Sequence, residues 1–405
     1  MSRRRTLLAA ALGAALTLVL AACGGSAGDG GSGPVVLGTT LPLTGGLGVF
    51  GPVIRAGYEQ AVADINKAGG VDVGGTSRQL KLVVKDNKSD PTEVTSTARS
   101  LINDDNAAAL LGSVTPPLTI PFSVVAEQER VPALSSLTPT RAWLAASPRG
   151  WRYAYDVFTD EAEQTAVNFK ATDQVRTNKR VALFTDTEED GKAMGALWER
   201  QAAKHGYTIA YHAQFPVGTT DFSQFVQNAR DAHADVMIAQ VTPPDAAALW
   251  KQMKALHYAP VTAWPEKGGS VGFPQAVGPL AEGASVFGYW TPTNGNVGGK
   301  ALYDSAKAKF GDGTATDGYL ASYAMVQIMA DAISRAGSTD PDAINKALAQ
   351  TKGLGTVLAR ITIGSDHRAV IPVSAVQWQG DRQVTVWPPD QATGKFEAPA
   401  PGLAR

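Results

Sequence analysis

Short apolar runs alternate with longer stretches of helical period along most of the chain. The runs are rich in Val, Ile, Leu and Ala, and they occupy residues 35–40, 80–87, 107–114, 131–136, 180–187, 208–215, 234–241 and 259–264. Runs of this kind separated by helices predict strands joined by βαβ crossovers in a parallel sheet. Because the series occurs twice, the sequence predicts an α/β protein with two parallel-sheet lobes.

Several stretches between the runs begin with helix-start signals. Asp90-Pro91 and Asp340-Pro341 each place a capping residue before a proline that suits the first helical turn, and Asp221 begins a third candidate helix. An amphipathic pattern over residues 316–337 predicts a long helix. In the C-terminal stretch up to residue 389, apolar and polar residues alternate, which predicts strands and a hairpin.

The tetrapeptide Val-Thr-Pro-Pro occurs at Val114–Pro117 and again at Val241–Pro244, after the third predicted strand of each half. A threonine hydroxyl can cap a helix, and proline fits the first turn, so both copies are good helix starts. Open parallel sheets also bind ligands beyond the carboxyl ends of their strands. The alternative is therefore a pair of ligand-binding corners, with Thr115 and Thr242 on opposite walls of one cleft.

Composition and charge narrow the class of partner. The 405 residues are 44% hydrophobic, which is enough for more than one core. The 36 basic and 37 acidic residues give a net charge of −1. The sequence has no excess of positive charge that would predict binding to nucleic acid or to an acidic membrane surface. A small-molecule ligand is therefore the expected partner.

The N-terminus has the pattern of an export signal. Arg3, Arg4 and Arg5 precede an apolar run that ends at Ala22, so residues 1–22 predict a signal peptide. Cys23, the only cysteine, follows Leu-Ala-Ala directly and resembles the cysteine of a bacterial lipobox. Residues 23–34 then predict a lipidated cysteine and a flexible tether, which would anchor an extracytoplasmic protein to the cell membrane. The alternatives are a plain signal peptide and a retained membrane span, for which the run is short.

The sequence matches known catalytic and metal-binding motifs only incompletely. A Gly-x-Ser-x-Gly string at residues 24–28 lies in the tether without a preceding strand, unlike a hydrolase nucleophile turn. Residues 294–301 lack the first glycine and the hydroxyl residue of a phosphate-binding loop. The five histidines show no metal-binding spacing. The sequence therefore predicts a protein that is not an enzyme and has no metal or cofactor.

Several segments together resemble the leucine/isoleucine/valine-binding family of type I periplasmic solute-binding proteins. The stretch "QAVADINKAGG" at Gln60–Gly70 is the most specific, and the others are "TLPLTGGLGVFGPVIRAGYE", "LKLVVKDNKSDP", "LLGSV", "VPALSSLTPT", "RVALFTDTEEDG" and "WPEKGG". The resemblance implies two doubly wound parallel-sheet lobes joined by three hinge crossings, near Phe158, Tyr289 and Gly364. One lobe would comprise residues 35–158 and 290–364, and the other residues 159–289 and 365–395.

The resemblance also implies a function. An extracytoplasmic solute-binding lipoprotein would capture an amino acid or a related compound between its lobes and deliver it to the permease of an ABC importer. An amide, urea or an aromatic acid is an alternative ligand. Because fold alone does not settle function, a tethered ligand sensor or regulator of a cell-envelope enzyme is the alternative role.

The resemblance assigns the ligand-contacting positions of the family to particular residues. They are Phe50, Thr115, Pro116, Ser136, Leu137, Thr138, Asp190, Thr242 and Glu266. Hydroxyls and helix-start amides of the first lobe suit a carboxylate, whereas Glu266 suits an ammonium group. Pro116 stands where relatives often have serine, and Asp190 and Thr242 where they often have tyrosine. A competing interpretation pairs Glu266 with Lys267 or another surface cation.

Overall fold

The computed structural model describes residues 33–269, 272–291, 298–310 and 318–404. The predicted signal peptide and Cys23 lie outside the described residues. Within those residues, we find no helix that combines the length and the apolar character needed to cross a bilayer.

The N-terminal half supplies strands and helices in alternation. The strands are β1 (Val35–Leu41), β2 (Val71–Val73), β3 (Thr76–Arg78), β4 (Leu80–Asp86), β5 (Ala109–Leu111), β6 (Ala133–Ser135) and β7 (Ala154–Phe158). The helices are α1 (Gly51–Lys67), α2 (Pro91–Asn103), α3 (Pro116–Glu129) and α4 (Thr140–Ala145).

The middle of the chain repeats this alternation. Its strands are β8 (Arg180–Asp186), β9 (Thr208–Phe215), β10 (Val236–Gln240), β11 (Thr262–Trp264) and β12 (Ser285–Gly288). Its helices are α5 (Glu161–Thr172), α6 (Glu189–His205), α7 (Ser223–Asp231), α8 (Pro243–Ala255) and α9 (Phe273–Val277), with short 3₁₀ turns at Glu266–Gly269 and Gly278–Ala281.

The C-terminal part is mixed. Its helices are α10 (Gly299–Phe310), α11 (Leu320–Ala336), α12 (Pro341–Ala349) and α13 (Pro401–Ala404). Its strands are β13 (Leu354–Gly355), β14 (Arg360–Ile361), β15 (Arg368–Val370), β16 (Ser374–Gln379) and β17 (Arg382–Trp387). The predicted terminal hairpin is β16–β17, which pairs in antiparallel register.

Two parallel sheets form the lobes, as the apolar runs predict. The first lobe has six parallel strands in the order β15-β7-β6-β5-β1-β4, and the second has four in the order β11-β10-β8-β9. A three-stranded antiparallel sheet, β12-β16-β17, completes the second lobe. Helices α10, α11 and α12 contribute to the hydrophobic core of the first lobe, so the chain returns to that lobe after β12.

The third passage between the lobes lies further along the chain than the sequence indicates. Strand β15 follows Gly364 but still pairs with β7 in the first-lobe sheet, with Arg368 opposite Asp156. The next strand, β16, belongs to the second lobe. The chain therefore crosses between Val370 and Ser374. The short strand β15 lacks a long apolar run, so hydrophobic pattern alone does not assign it to a sheet.

Helices begin close to the residues that the sequence predicts, but the predicted capping hydrogen bonds are not always present. The Asp90 carboxylate caps α2 by accepting hydrogen bonds from the amides of Thr92 (2.6 Å) and Glu93 (3.2 Å). Thr115 and Thr242 are the N-cap residues of α3 and α8, yet neither side chain makes a capping hydrogen bond. The expected hydroxyl caps are thus wrong. Prolines occupy the first two helical positions in both helices, so one of the amides that a cap would bind is missing.

Candidate functional site

A cavity of about 80 Å³ lies between the lobes, beyond the carboxyl ends of their parallel strands. Since roughly 10–15 Å³ suffices for one water molecule, this space fits a small solute. Loops of the first lobe contribute Phe50, Val114, Thr115, Pro116, Leu137, Pro139 and Phe158. The second lobe contributes Gln164, Asp190, Gln240, Glu266, Lys267, Val286, Phe287 and Tyr289.

The structure brings together many, but not all, of the residues predicted to contact ligand. Phe50, Thr115, Pro116, Leu137, Asp190 and Glu266 line the cavity. Ser136, Thr138 and Thr242 are not among its lining residues. The Ser136 hydroxyl donates to the carbonyl of Val157 (2.8 Å), and Thr138 donates to the hydroxyl of Thr119 (2.7 Å). These two hydroxyls are therefore bonded within the first lobe.

Sequence reasoning missed other lining residues, notably Gln164, Gln240 and Lys267. Gln240 is the last residue of β10, so the rule that ligands bind beyond strand carboxyl ends could have identified it. Lys267 directly follows Glu266, and the sequence suggests for it only the role of a partner to that residue. Gln164 lies within α5, where nothing in the local pattern distinguishes it.

Thr115 forms a constrained corner on the first-lobe wall. Its φ of +61° is unusual for a residue with a β-branched side chain, and its hydroxyl is buried without a hydrogen-bond partner. The next two residues are prolines without amide protons, and the amides of Leu118 and Thr119 donate to the Thr115 carbonyl at 3.2 and 2.9 Å. The corner therefore presents a hydroxyl but few amide donors.

A buried ion pair occupies the second-lobe wall. The Lys267 ammonium lies 2.8 Å from Asp190 Oδ2 and 4.0 Å from Asp186 Oδ2. Gln240 also donates to Asp190 Oδ2, at 3.2 Å. Burial disfavours the Asp190 carboxylate, but the Lys267 charge and these hydrogen bonds outweigh burial and lower its pKa. Burial raises the pKa of Asp186 to about 6, although Lys267 opposes the rise.

Glu266 is a buried carboxyl held by neutral groups. Its side chain is 1% exposed, and its two oxygens accept hydrogen bonds from Asn168 Nδ2 and from the amide of Phe287 (3.2 Å). Trp198 Nε1 donates to Asn168 Oδ1 at 2.6 Å and so orients that amide. Burial raises the pKa of Glu266 to about 7, because the two hydrogen bonds offset only part of the lost hydration. Lys267 pairs with Asp190 instead.

Aromatic side chains join the walls where the chain passes between lobes. The Phe158 ring, at the end of β7, packs edge-on against Phe287 (6.2 Å between centroids) and Tyr289 (5.0 Å). Such edge-to-face contacts add to the stabilisation from burial. The cavity thus combines an apolar, aromatic portion with carboxyl, amide and ammonium groups.

The family model described as periplasmic binding protein matches residues 34–383. The chain belongs to this family. It is 26% identical, over 81% of its own length and 86% of the relative, to a protein named Leu/Ile/Val-binding protein homolog 3 of Brucella melitensis. The family consists of substrate-binding rather than enzymatic proteins.

Solved structures show the same fold. The branched-chain amino acid transporter substrate binding protein LivJ of Streptococcus pneumoniae, in complex with isoleucine, has a TM-score of 0.75 and 20% identity, with 87% of this chain and 99% of that chain covered. A solute binding protein of Rhodopseudomonas palustris in complex with 3,4-dihydroxy benzoic acid has a TM-score of 0.70 and 19% identity, with 86% and 95% covered. The family match makes this chain an extracytoplasmic solute-binding protein. The regulator alternative is not favoured by these relatives.

Proposed function

We propose that this periplasmic binding protein captures an amino acid or a related amine between its lobes and passes it to the permease of an ABC importer. The observation that carries the ligand assignment is Glu266, a buried carboxyl in the wall of the interlobe cavity. The described residues supply it with two neutral donors and no cation. Because a buried carboxylate is costly without a countercharge, an ammonium group of a ligand would compensate it.

Those predicted contacts that line the cavity keep a ligand-binding role within this proposal, and the others take a supporting one. Phe50, Pro116 and Leu137 would pack on the apolar body of the ligand, and the Thr115 hydroxyl would meet a polar group. Asp190 would neutralise the Lys267 ammonium and so determine the net charge of the second-lobe wall. Ser136, Thr138 and Thr242 would support the adjoining loops without reaching the present cavity.

Ligand binding is expected to close the lobes about their connections. We propose lobe bounds of 35–158 with 290–370, and 159–289 with 374–404, because these follow the sheet to which each strand belongs. The amide of Gly402 donates to the carbonyl of Glu282 (2.9 Å), which keeps the C-terminal segment with the second lobe.

A ligand screen tests the binding function. Amino acids, amines, short amides, urea and aromatic acids are compared by thermal shift, and a ligand at 100 times its Kd should stabilise the native state by about 2.7 kcal/mol. Small-angle scattering with a saturating hit should show a smaller radius of gyration than without it. An unchanged radius would contradict closure, and a best hit that lacks any amine would contradict the role of Glu266.

We also propose that lipid on Cys23 anchors the mature protein to the cell membrane. The support is the apolar run that ends in Leu-Ala-Ala-Cys and the glycine-rich tether after it. Several acyl chains hold a protein on a bilayer far more firmly than one. Mass spectrometry of the native N-terminus should find a lipid adduct on Cys23, and Cys23→Ala should release the protein from membranes. A Cys23→Ala protein that stays fully membrane-bound would contradict the anchor.

A further inference from the structure

We infer that the ligand of the interlobe cavity carries an ammonium group but no free carboxylate, so that it is an amine or a carboxylate-masked amino acid such as an amide. This inference rests on the proposed function and narrows its ligand class. It differs from the isoleucine and dihydroxybenzoic acid present in the related structures, both of which carry a carboxylate.

The first argument concerns cations. Lys267 is the only cationic side chain among the described residues that line the cavity. Its ammonium is 2.8 Å from Asp190 and 4.0 Å from Asp186, so it already faces two carboxyl groups. The internal segments that the structure does not describe, residues 270–271, 292–297 and 311–317, contain no Lys, Arg or His in their sequence. They cannot supply a second cation for a ligand carboxylate.

The second argument is the charge of the cavity wall. With Asp190 ionised, Lys267 and Asp190 cancel, and Glu266 adds either zero or one negative charge. An ionised Asp186 behind them makes the sum more negative by one. The local charge is therefore zero or negative in each of these states. A ligand carboxylate would enter a buried site without a net positive charge, which disfavours its ionised form.

The third argument concerns neutral donors. The lining amides of Gln164 and Gln240 each use one of their two N–H groups, in bonds to the Thr159 hydroxyl and to Asp190 respectively. The prolines after Thr115 remove two amide donors from the start of α3, and the next two amides are bonded to the Thr115 carbonyl. At this corner, the Thr115 hydroxyl is the group left without a partner. Among the described lining residues, the hydroxyls of Thr115 and Tyr289 and the second N–H of each glutamine amide are neutral, so they compensate a buried carboxylate less than a cation would.

The remaining surface suits an amine with an apolar body. Glu266 retains lone pairs beyond the two that Asn168 and Phe287 occupy, so an ammonium group could approach it. The facing surface is apolar, with Phe50, Pro116 and Leu137 from the first lobe and Phe158, Val286 and Phe287 near the crossings.

Matched compounds separate the alternatives. Calorimetry on the chain would compare leucine, leucinamide and isoamylamine, and then phenylalanine, phenylalaninamide and phenethylamine, with benzoate as a carboxylate without an amine. At least one masked or decarboxylated compound should bind ten times or more tightly than its free amino acid. Tighter binding of the amide than of the amine would indicate a masked amino acid, and the reverse order would indicate a simple amine.

Two other outcomes overturn the inference in distinguishable ways. If a free amino acid binds as tightly as its amide and amine, the carboxylate inference fails while the proposed amino-acid function stands. If none of the six amine-bearing compounds binds at millimolar concentration, both the inference and the proposed amine ligand fail.

A variant tests independently whether the ion pair between Lys267 and Asp190 is the reason that a ligand carboxylate is disfavoured. Asp190→Asn is nearly isosteric and removes the nearer of the two described carboxyl partners of Lys267, so free amino acids should gain at least tenfold in affinity relative to their amides. Glu188→Gln, which removes an exposed carboxylate two residues away, should leave this ratio unchanged. The measured quantity is the Kd of a free amino acid divided by the Kd of its amide. A general loss of stability weakens both compounds alike and leaves this ratio unchanged. An unchanged ratio in folded Asp190→Asn would overturn the role given to the ion pair.

Discussion

Replacing Lys267 with methionine is expected to lower the free energy of unfolding by about 3–5 kcal/mol, because it leaves buried carboxyl groups without their cation. Asp186 and Asp190 are 0% and 3% exposed, and both face the Lys267 ammonium. Removing one partner from a buried pair costs more than the pair contributes, since the remaining charge loses both hydration and countercharge. Urea unfolding monitored by circular dichroism measures the loss.

A matched control is Lys300→Met. Lys300 pairs with Asp304 at 2.7 Å, but the two side chains are 67% and 54% exposed. Exposed pairs of this kind contribute about 0–1 kcal/mol, because water and salt screen them. Similar losses in the two variants would contradict the assignment of Lys267 as the countercharge of a buried site.

The loss at Lys267 should also depend on pH. Without the ammonium, burial dominates at both carboxyl groups, so the pKa of Asp186 rises further and the pKa of Asp190 is no longer lowered. A raised carboxyl pKa gives stability that is present at low pH and disappears as the pH rises through the folded pKa. The deficit relative to the wild type should therefore be largest above pH 7 and smaller near pH 5. A deficit that grows as the pH falls would be incompatible with buried carboxylates as its cause.

The repeated strand pattern predicts the two sheets well because a buried parallel strand requires an apolar run almost regardless of its surroundings. Strands β8 and β9, for example, begin and end within one residue of their runs. The short strand β15 is different: its three residues join the first-lobe sheet through pairing with β7, a contact that no local pattern encodes. That single long-range pairing moves the third crossing beyond Gly364.

The candidate site shows the same division between local and long-range information. The rule about strand carboxyl ends finds the corners at Thr115 and Glu266, since position along the sequence determines them. The sequence does not predict the direction in which each side chain points. Glu266 and Lys267 are neighbours, yet one bonds to α5 and β12 while the other bonds to α6. The positive φ of Glu266, +27°, belongs to a turn that the sequence "WPEKGG" does not specify.

Glu266→Gln is expected to weaken the amine ligand by about 2 kcal/mol or more, on the order of thirtyfold in Kd, if the charge pair is desolvated. The glutamine side chain keeps nearly the same shape but cannot supply the negative charge that faces the ammonium. Calorimetry at pH 8 measures the change, and circular dichroism checks the fold. Glu188→Gln removes an exposed charge two residues from Asp190 in the sequence and should alter Kd by less than about threefold.

The pH dependence of binding distinguishes a titrating carboxyl from one that is only polar. Burial raises the pKa of Glu266 to about 7, so about half of the unliganded molecules carry the charge at that pH. Because the ammonium binds the ionised form, the affinity for a simple alkyl amine such as isoamylamine, which stays protonated at pH 8, should increase by roughly tenfold from pH 6 to pH 8 and then level off.

Other groups near Glu266 affect this pH profile only at its acidic end. The groups that bond to Glu266 from α5 and β12, the Asn168 side chain and the amide of Phe287, do not titrate. Asp186 has a pKa of about 6 and faces Lys267 on the same wall, so it adds a smaller change near pH 6. The Glu266→Gln variant should therefore lose most of the slope between pH 6 and pH 8, because it has no carboxyl to titrate at this position. A variant with unchanged affinity and unchanged slope would remove Glu266 from the binding site.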